Sequence, residues 1–126
     1  MLTIIKRFEL EAAHRLPKHQ GACQRIHGHR YELEVGVSGS IDPKTGMIAD
    51  FKNIKDLVKR EVIEHLDHYY LNDLQHLPGF PVSCPTAENM VLWIVAKLQG
   101  QLKVTGCSLA LVRLWETSSS WVEWRE

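Results

Sequence analysis

The 126-residue sequence is poor in the features that mark secreted, membrane-bound or nucleic-acid-binding chains. It holds only three cysteines, Cys23, Cys84 and Cys107, odd in number and far apart. That argues against a disulfide framework and for free thiols in a reducing compartment. Net charge is also missing: fifteen Lys and Arg balance fifteen Asp and Glu. No overall field therefore draws the chain to nucleic acid or an anionic membrane, and any anionic ligand must be held by a local pocket. No apolar run approaches the roughly 18 residues of a membrane span. The N-terminal Met1-Leu-Thr-Ile-Ile-Lys-Arg becomes charged before a signal sequence could form. A cytoplasmic protein with neither nucleic-acid nor membrane partners is the expectation. Linkers, repeats and low-complexity segments are absent too, so residues 1–126 read as one domain.

What is present suffices for a core: 44% of residues are hydrophobic and 24% charged, the balance of an ordinary globular protein. From Leu2 to Leu16 the even positions carry Phe8, Leu10, Ala12 and His14, and the odd ones Arg7, Glu9, Glu11 and Arg15. This period of two predicts a strand with one buried face. After a loop over Pro17 to Ile26, a second strand puts His27, His29, Tyr31, Leu33, Val35 and Val37 on one face and Arg30, Glu32 and Glu34 on the other. Phe51, Ile54, Leu57, Val58, Val62 and Leu66 form the stripe of a first helix, which Asp67 to Asn72 ends and a loop to Cys84 follows. A second helix opens at Pro85-Thr86-Ala87-Glu88-Asn89 with Thr86 as N-cap, is lined by Met90, Trp93, Ile94 and Leu98, and stops at Gly100. Cys107 to Trp115 reads as a strand buried on both faces, and Trp121 to Trp124 as a last strand. The expected fold is α+β: an antiparallel β-β-α-α-β-β sheet with two helices on one face. Its helix-free face carries apolar residues for which another subunit is the expected cover.

Seven histidines stand out in this composition. His27 and His29 flank Gly28 on one strand and project to one side, and a hairpin pairing delivers His14 beside them. Three imidazoles leave a tetrahedral zinc one open position, the pattern of a catalytic site. Two other arrangements satisfy the same spacing. The imidazoles can be half-buried and bonded to backbone carbonyls. Alternatively, Cys23 can complete a closed structural site. His19, His65 and His76 read as surface residues.

Six segments occur in one order: Phe8-Glu-Leu-Glu-Ala-Ala-His14-Arg-Leu, Cys23-Gln-Arg-Ile-His27-Gly-His29, Gly46-Met-Ile-Ala-Asp50-Phe51, Leu66-Asp67-His68-Tyr-Tyr-Leu-Asn72, Pro85-Thr86-Ala87-Glu88-Asn89 and Trp115-Glu116-Thr117. Together they resemble the 6-pyruvoyltetrahydropterin synthase family. Within it, the three residues between Cys23 and His27 are similar to the carboxytetrahydropterin-forming branch. The resemblance implies a tunnelling fold (T-fold), in which sheets join across subunits into a trimeric barrel and two trimers stack as a homohexamer. It also implies Zn2+ on His14, His27 and His29, and a catalytic set of Cys23 with Asp67 and His68, the last two supplied by an adjacent subunit. Glu116 is the implied pterin anchor and Thr86 a further pterin contact. The implied reaction turns 7,8-dihydroneopterin triphosphate into 6-carboxy-5,6,7,8-tetrahydropterin, acetaldehyde and triphosphate, a step of queuosine biosynthesis. A pyruvoyl-forming synthase and a non-catalytic zinc-stabilised pterin-binding module are the alternatives. On residue type alone, Asp67-His68 also reads as a helix-end pair and Glu116 as a strand-end charge. Arg15, Lys18, Arg25 and Lys52 are triphosphate candidates by charge only.

Overall fold

Alternation along the first strand is converted directly into burial: Phe8, Leu10, Ala12 and His14 are buried while Arg7, Glu9 and Glu11 are exposed. The computed structural model describes residues 1–126. Its first strand, β1 (Thr3–His14), pairs antiparallel with β2 (His27–Ser38), from Thr3 opposite Ser38 to His14 opposite His27. Tyr31, Leu33, Val35 and Val37 continue the buried face on β2.

Helix α1 (Phe51–Val58) starts where Asp50 accepts a hydrogen bond from the Lys52 N–H at 2.8 Å. The helical path continues to Leu66 as expected, but through a π turn over Lys59–Ile63 and a closing turn, α2 (Glu64–Leu66). The wider turn places two adjacent residues, Val62 and Ile63, in the core together with Leu66. Phe51 is half-exposed and so leaves the predicted stripe.

Two residues of the segment expected to end the first helix instead form a strand, β3 (Tyr69–Tyr70). It pairs parallel with Ala12 and Ala13 of β1, so the sheet is mixed and not wholly antiparallel. Helix α3 (Ala87–Val104) begins at Thr86, whose hydroxyl accepts from the Asn89 N–H at 3.2 Å. Gly100 does not stop it. A glycine inside a helix costs about 1 kcal/mol relative to alanine, and burial of Leu98 and Leu102 on either side outweighs that. The end comes at Gly106, whose φ of 81° suits the left-handed position after a helix. Strands β4 (Ser108–Thr117) and β5 (Ser120–Arg125) complete a sheet in the order β3-β1-β2-β4-β5, and one core of 28 buried residues lies between sheet and helices.

The other face differs from expectation: it is mainly an ion-pair layer. Glu34 is buried and accepts from Arg7 Nη2 and Arg113 Nη1, both at 2.7 Å, and from Trp115 Nε1 at 3.3 Å. Arg113 also donates to Glu123 on β5. A buried carboxylate is tolerable only with such partners. Strand β4 is buried on both faces near its start, with Leu109 in the core and Leu111 against Gly36 on the other side. It alternates beyond the register shift, with Val112 and Leu114 in the core but Arg113 and Trp115 among these charges. Gly36 lets the strands close there, since a Cβ would lie 2.8 Å from the Leu111 Cβ.

Candidate metal centre and active site

The register that pairs His14 with His27 and Ala12 with His29 brings the three imidazoles together on the core side of the sheet. Their candidate ligand atoms all lie within 4.8 Å of one another. His14 is buried, and His27 and His29 are half-buried.

Hydrogen bonding fixes which nitrogens are free. His14 Nδ1–H donates to the Pro85 carbonyl at 2.8 Å, and His27 Nδ1–H to the Arg25 carbonyl at 2.9 Å. Each ring therefore turns a bare Nε2 lone pair inward, and the two Nε2 atoms stand 3.0 Å apart. His29 Nε2 is buried without any hydrogen-bond partner. Facing lone pairs repel unless a cation lies between them. Zinc–imidazole distances of about 2.0–2.1 Å put tetrahedral ligand nitrogens about 3.3 Å apart, so the cluster fits a metal ion with little adjustment. The carbonyls of Pro85 and Arg25 are the outer partners that hold metal-binding imidazoles in one tautomer. The arrangement in which the histidines merely satisfy backbone groups fails at His29 Nε2.

Burial lowers the pKa of His14 and of His29 below 6.5. For His14 the Pro85 bond opposes this shift. For His29 the chief opposing influence is the Glu116 carboxylate, while the other imidazoles add to the lowering. Glu116 Oε1 is 3.8 Å from His29 Nε2, so Glu116 borders the cluster and is not an isolated strand-end charge. Tyr31, buried beneath the cluster with its hydroxyl 3.5 Å from His14 Nδ1, has its phenol pushed above the usual range by burial and then by Glu116.

Cys23 lies on a single 3-10 turn, Ala22–Gln24, in the β1–β2 connection. It is half-buried, and its thiol is not a member of the three-histidine cluster. The connection is latched by Asn72, which accepts from the Arg15 N–H at 2.9 Å and donates to the Arg15 carbonyl at 3.0 Å. Arg15, Lys18 and Arg25 all belong to this stretch, whereas Lys52 stands apart on the first turn of α1. The Thr86 hydroxyl uses one of its oxygen lone pairs on the α3 cap, beside the Pro85 carbonyl that holds His14.

Asp67 and His68 form a pair, with Nδ1 of His68 3.0 Å from Asp67 Oδ1, but they do not join the imidazole cluster within one chain. They contact Glu11, which projects from β1 on the face opposite His14. His68 is the only non-glycine residue with positive φ, 66°. That conformation costs on the order of 1–3 kcal/mol and persists where surroundings enforce it, often at functional sites. Sequence reading missed Glu11, Asn72 and the Pro85 carbonyl as members of this region; for Glu11 the only signal is its place on the outward face of the strand that carries His14. His19, His65 and His76 are exposed, as expected.

Residues 3–126 match the family described as 6-pyruvoyl tetrahydropterin synthase. Over 103 residues, covering 79% of this chain and 76% of the relative, the sequence is 42% identical to a 6-carboxy-5,6,7,8-tetrahydropterin synthase of Synechocystis sp.. It is 33% identical to the Haemophilus influenzae protein of the same name, over 100% of both chains. The backbone matches 6-pyruvoyl tetrahydropterin synthase of Caenorhabditis elegans with a TM-score of 0.84 at 25% identity, covering 99% of this chain and 95% of that one. A match that runs through nearly every residue and a shared T-fold backbone place the chain in the 6-pyruvoyl tetrahydropterin synthase family.

Proposed function

We propose that this chain is a zinc-dependent 6-carboxy-5,6,7,8-tetrahydropterin synthase, a carbon–carbon lyase of queuosine (7-deazaguanine) biosynthesis acting in the cytoplasm as a homohexamer. It converts 7,8-dihydroneopterin triphosphate and water to 6-carboxytetrahydropterin, acetaldehyde and triphosphate. The observation that carries the metal-dependent part is the convergence of three imidazole nitrogens, one of them without a partner, beside the Glu116 carboxylate. The names of the Synechocystis and Haemophilus relatives support the carboxy-forming outcome.

Zinc on His14, His27 and His29 would supply a Lewis acid for the oxygens of the pterin side chain, easing loss of nearby carbon-bound protons. Cys23, on the loop that joins two of the ligands, is the proton acceptor as thiolate. Asp67 orients the His68 ring through Nδ1, and His68 carries a proton to or from the substrate. Because this pair faces away from its own chain's cluster, it serves the site of a neighbouring subunit. Glu116 accepts from the 2-amino and N3 groups of the pterin, and Thr86 offers its hydroxyl proton as a further contact.

The test is product identification by mass spectrometry after anaerobic incubation of the zinc-loaded protein with 7,8-dihydroneopterin triphosphate. Acetaldehyde and a one-carbon side chain are expected. A retained three-carbon side chain would instead identify the pyruvoyl-forming reaction. Unaltered substrate with intact zinc would leave a binding module.

A further inference from the structure

We infer that Glu11 is a positioning residue for His68, an inference that for its kinetic part rests on the proposed function. The backbone of Glu11 first enforces the unusual conformation: its N–H donates to Asp67 Oδ1 at 2.8 Å, and its carbonyl accepts from the His68 N–H at 2.6 Å. From there Tyr69 pairs with Ala12 on the same strand. These bonds hold His68 at a φ of 66°, where few L residues stand. The ring that results lies between two carboxylates, with Nδ1 3.0 Å from Asp67 Oδ1 and Nε2 3.5 Å from Glu11 Oε2.

Each carboxylate acts on a different nitrogen. Asp67, itself fixed by the Glu11 N–H, keeps the proton of the neutral ring on Nδ1 and leaves Nε2 as a lone pair. That lone pair faces the Glu11 carboxylate without attraction. Once Nε2 takes a proton, the same carboxylate becomes its ion-pair partner, so Glu11 stabilises the ring after proton transfer and aims Nε2 in the process. Arg30 stands opposite Glu11 on β2 and feels its charge, but its hydrogen bond goes to Glu9, which leaves His68 as the contact of the Glu11 carboxylate. Both side chains of the Glu11–His68 pair are largely exposed in the single chain, so the contact contributes little to stability there. Its effect belongs to the reacting ring.

Glu11→Gln keeps both backbone bonds and the side-chain shape while removing the charge. The expected result is a kcat lowered about tenfold, less than the about 10²- to 10⁴-fold for loss of a group that itself transfers the proton, with KM, zinc content and melting temperature unchanged. In 15N spectra of the imidazole nitrogens, the Nε2 resonance of His68 should move in this variant while those of His14, His27 and His29 stay in place. Wild-type kcat in Glu11→Gln, or unmoved His68 resonances, would overturn the inference. So would a parallel loss of zinc or folding, which would make Glu11 structural. If the wild-type protein shows no turnover at all, the proposed function fails, while the His68 resonances still decide the role of Glu11.

Discussion

The Nε2 atoms of His14 and His27 face each other at 3.0 Å, each on a ring whose other nitrogen is committed to a backbone carbonyl. Two lone pairs in that relation ask for a cation. We expect one zinc per chain, retained in Cys23→Ala, because the thiol is outside the cluster. His27→Ala and His29→Ala should lose both zinc and turnover, since two imidazoles give poor geometry and affinity. Metal analysis of the three variants checks this. Loss of zinc from Cys23→Ala would restore the closed four-ligand site.

The metal-free protein should lose stability in acid. The unfolded imidazoles titrate near 6.5, whereas burial holds folded His14 and His29 lower. Below 6.5 the unfolded chain therefore binds more protons than the folded one, and stability falls as pH drops through that interval. Above 6.5 both states are neutral at these rings and no penalty remains. Urea midpoints measured with chelator should be lower at about pH 5.5 than at about pH 7.5. Zinc should steepen the trend because its ligands must be deprotonated. Equal midpoints would contradict the burial argument.

Asp67→Asn and His68→Ala should keep zinc and lose about 10²- to 10⁴-fold in turnover. Near-normal turnover would return the pair to a helix-end role. Backbone geometry adds a second expectation: His68→Gly should be the more stable of the two His68 variants by about 1 kcal/mol, because glycine adopts a positive φ without strain. Denaturant unfolding of the two proteins distinguishes them.

Glu116→Gln should weaken pterin binding, because an amide presents a donor where the ring also presents one. Fluorescence titration with a pterin measures it. Unchanged affinity would assign Glu116 to the electrostatics of His29 alone, 3.8 Å away.

Light scattering is expected to give a hexamer. The helix-free face is largely charged, but the edge of β5 is open: it pairs only with β4 and carries a half-exposed Trp121, which suits pairing with another subunit. A monomer at micromolar concentration would contradict this and leave Asp67 and His68 without a neighbouring site to serve.

The three-histidine cluster was legible because a period of two is a strong signal: once His14, His27 and His29 share the phase of Phe8, Leu10, Tyr31 and Leu33, their side of the sheet is determined. Other parts carried no periodic signal. β3 is two residues long and pairs with a strand more than fifty residues earlier, so neither length nor alternation announces it. The π turn reflects how Val62 and Ile63 pack, which composition does not encode. Gly100 looks like a stop in isolation and is overridden by Leu102 beyond it. Arg7, Glu34, Arg113 and Glu123 were visible as charges but not as partners, because the four lie on four different strands brought together only by register.

Strand β1 serves the two groups with opposite faces: even-numbered His14 belongs to the histidine cluster, and odd-numbered Glu11 holds Asp67 and His68. Deleting or inserting one residue between Thr3 and His14 would exchange the two faces and disable both at once. Length variation in this protein should therefore be barred from β1, while the exposed loop Ser40 to Met47 can shorten or grow without touching either group.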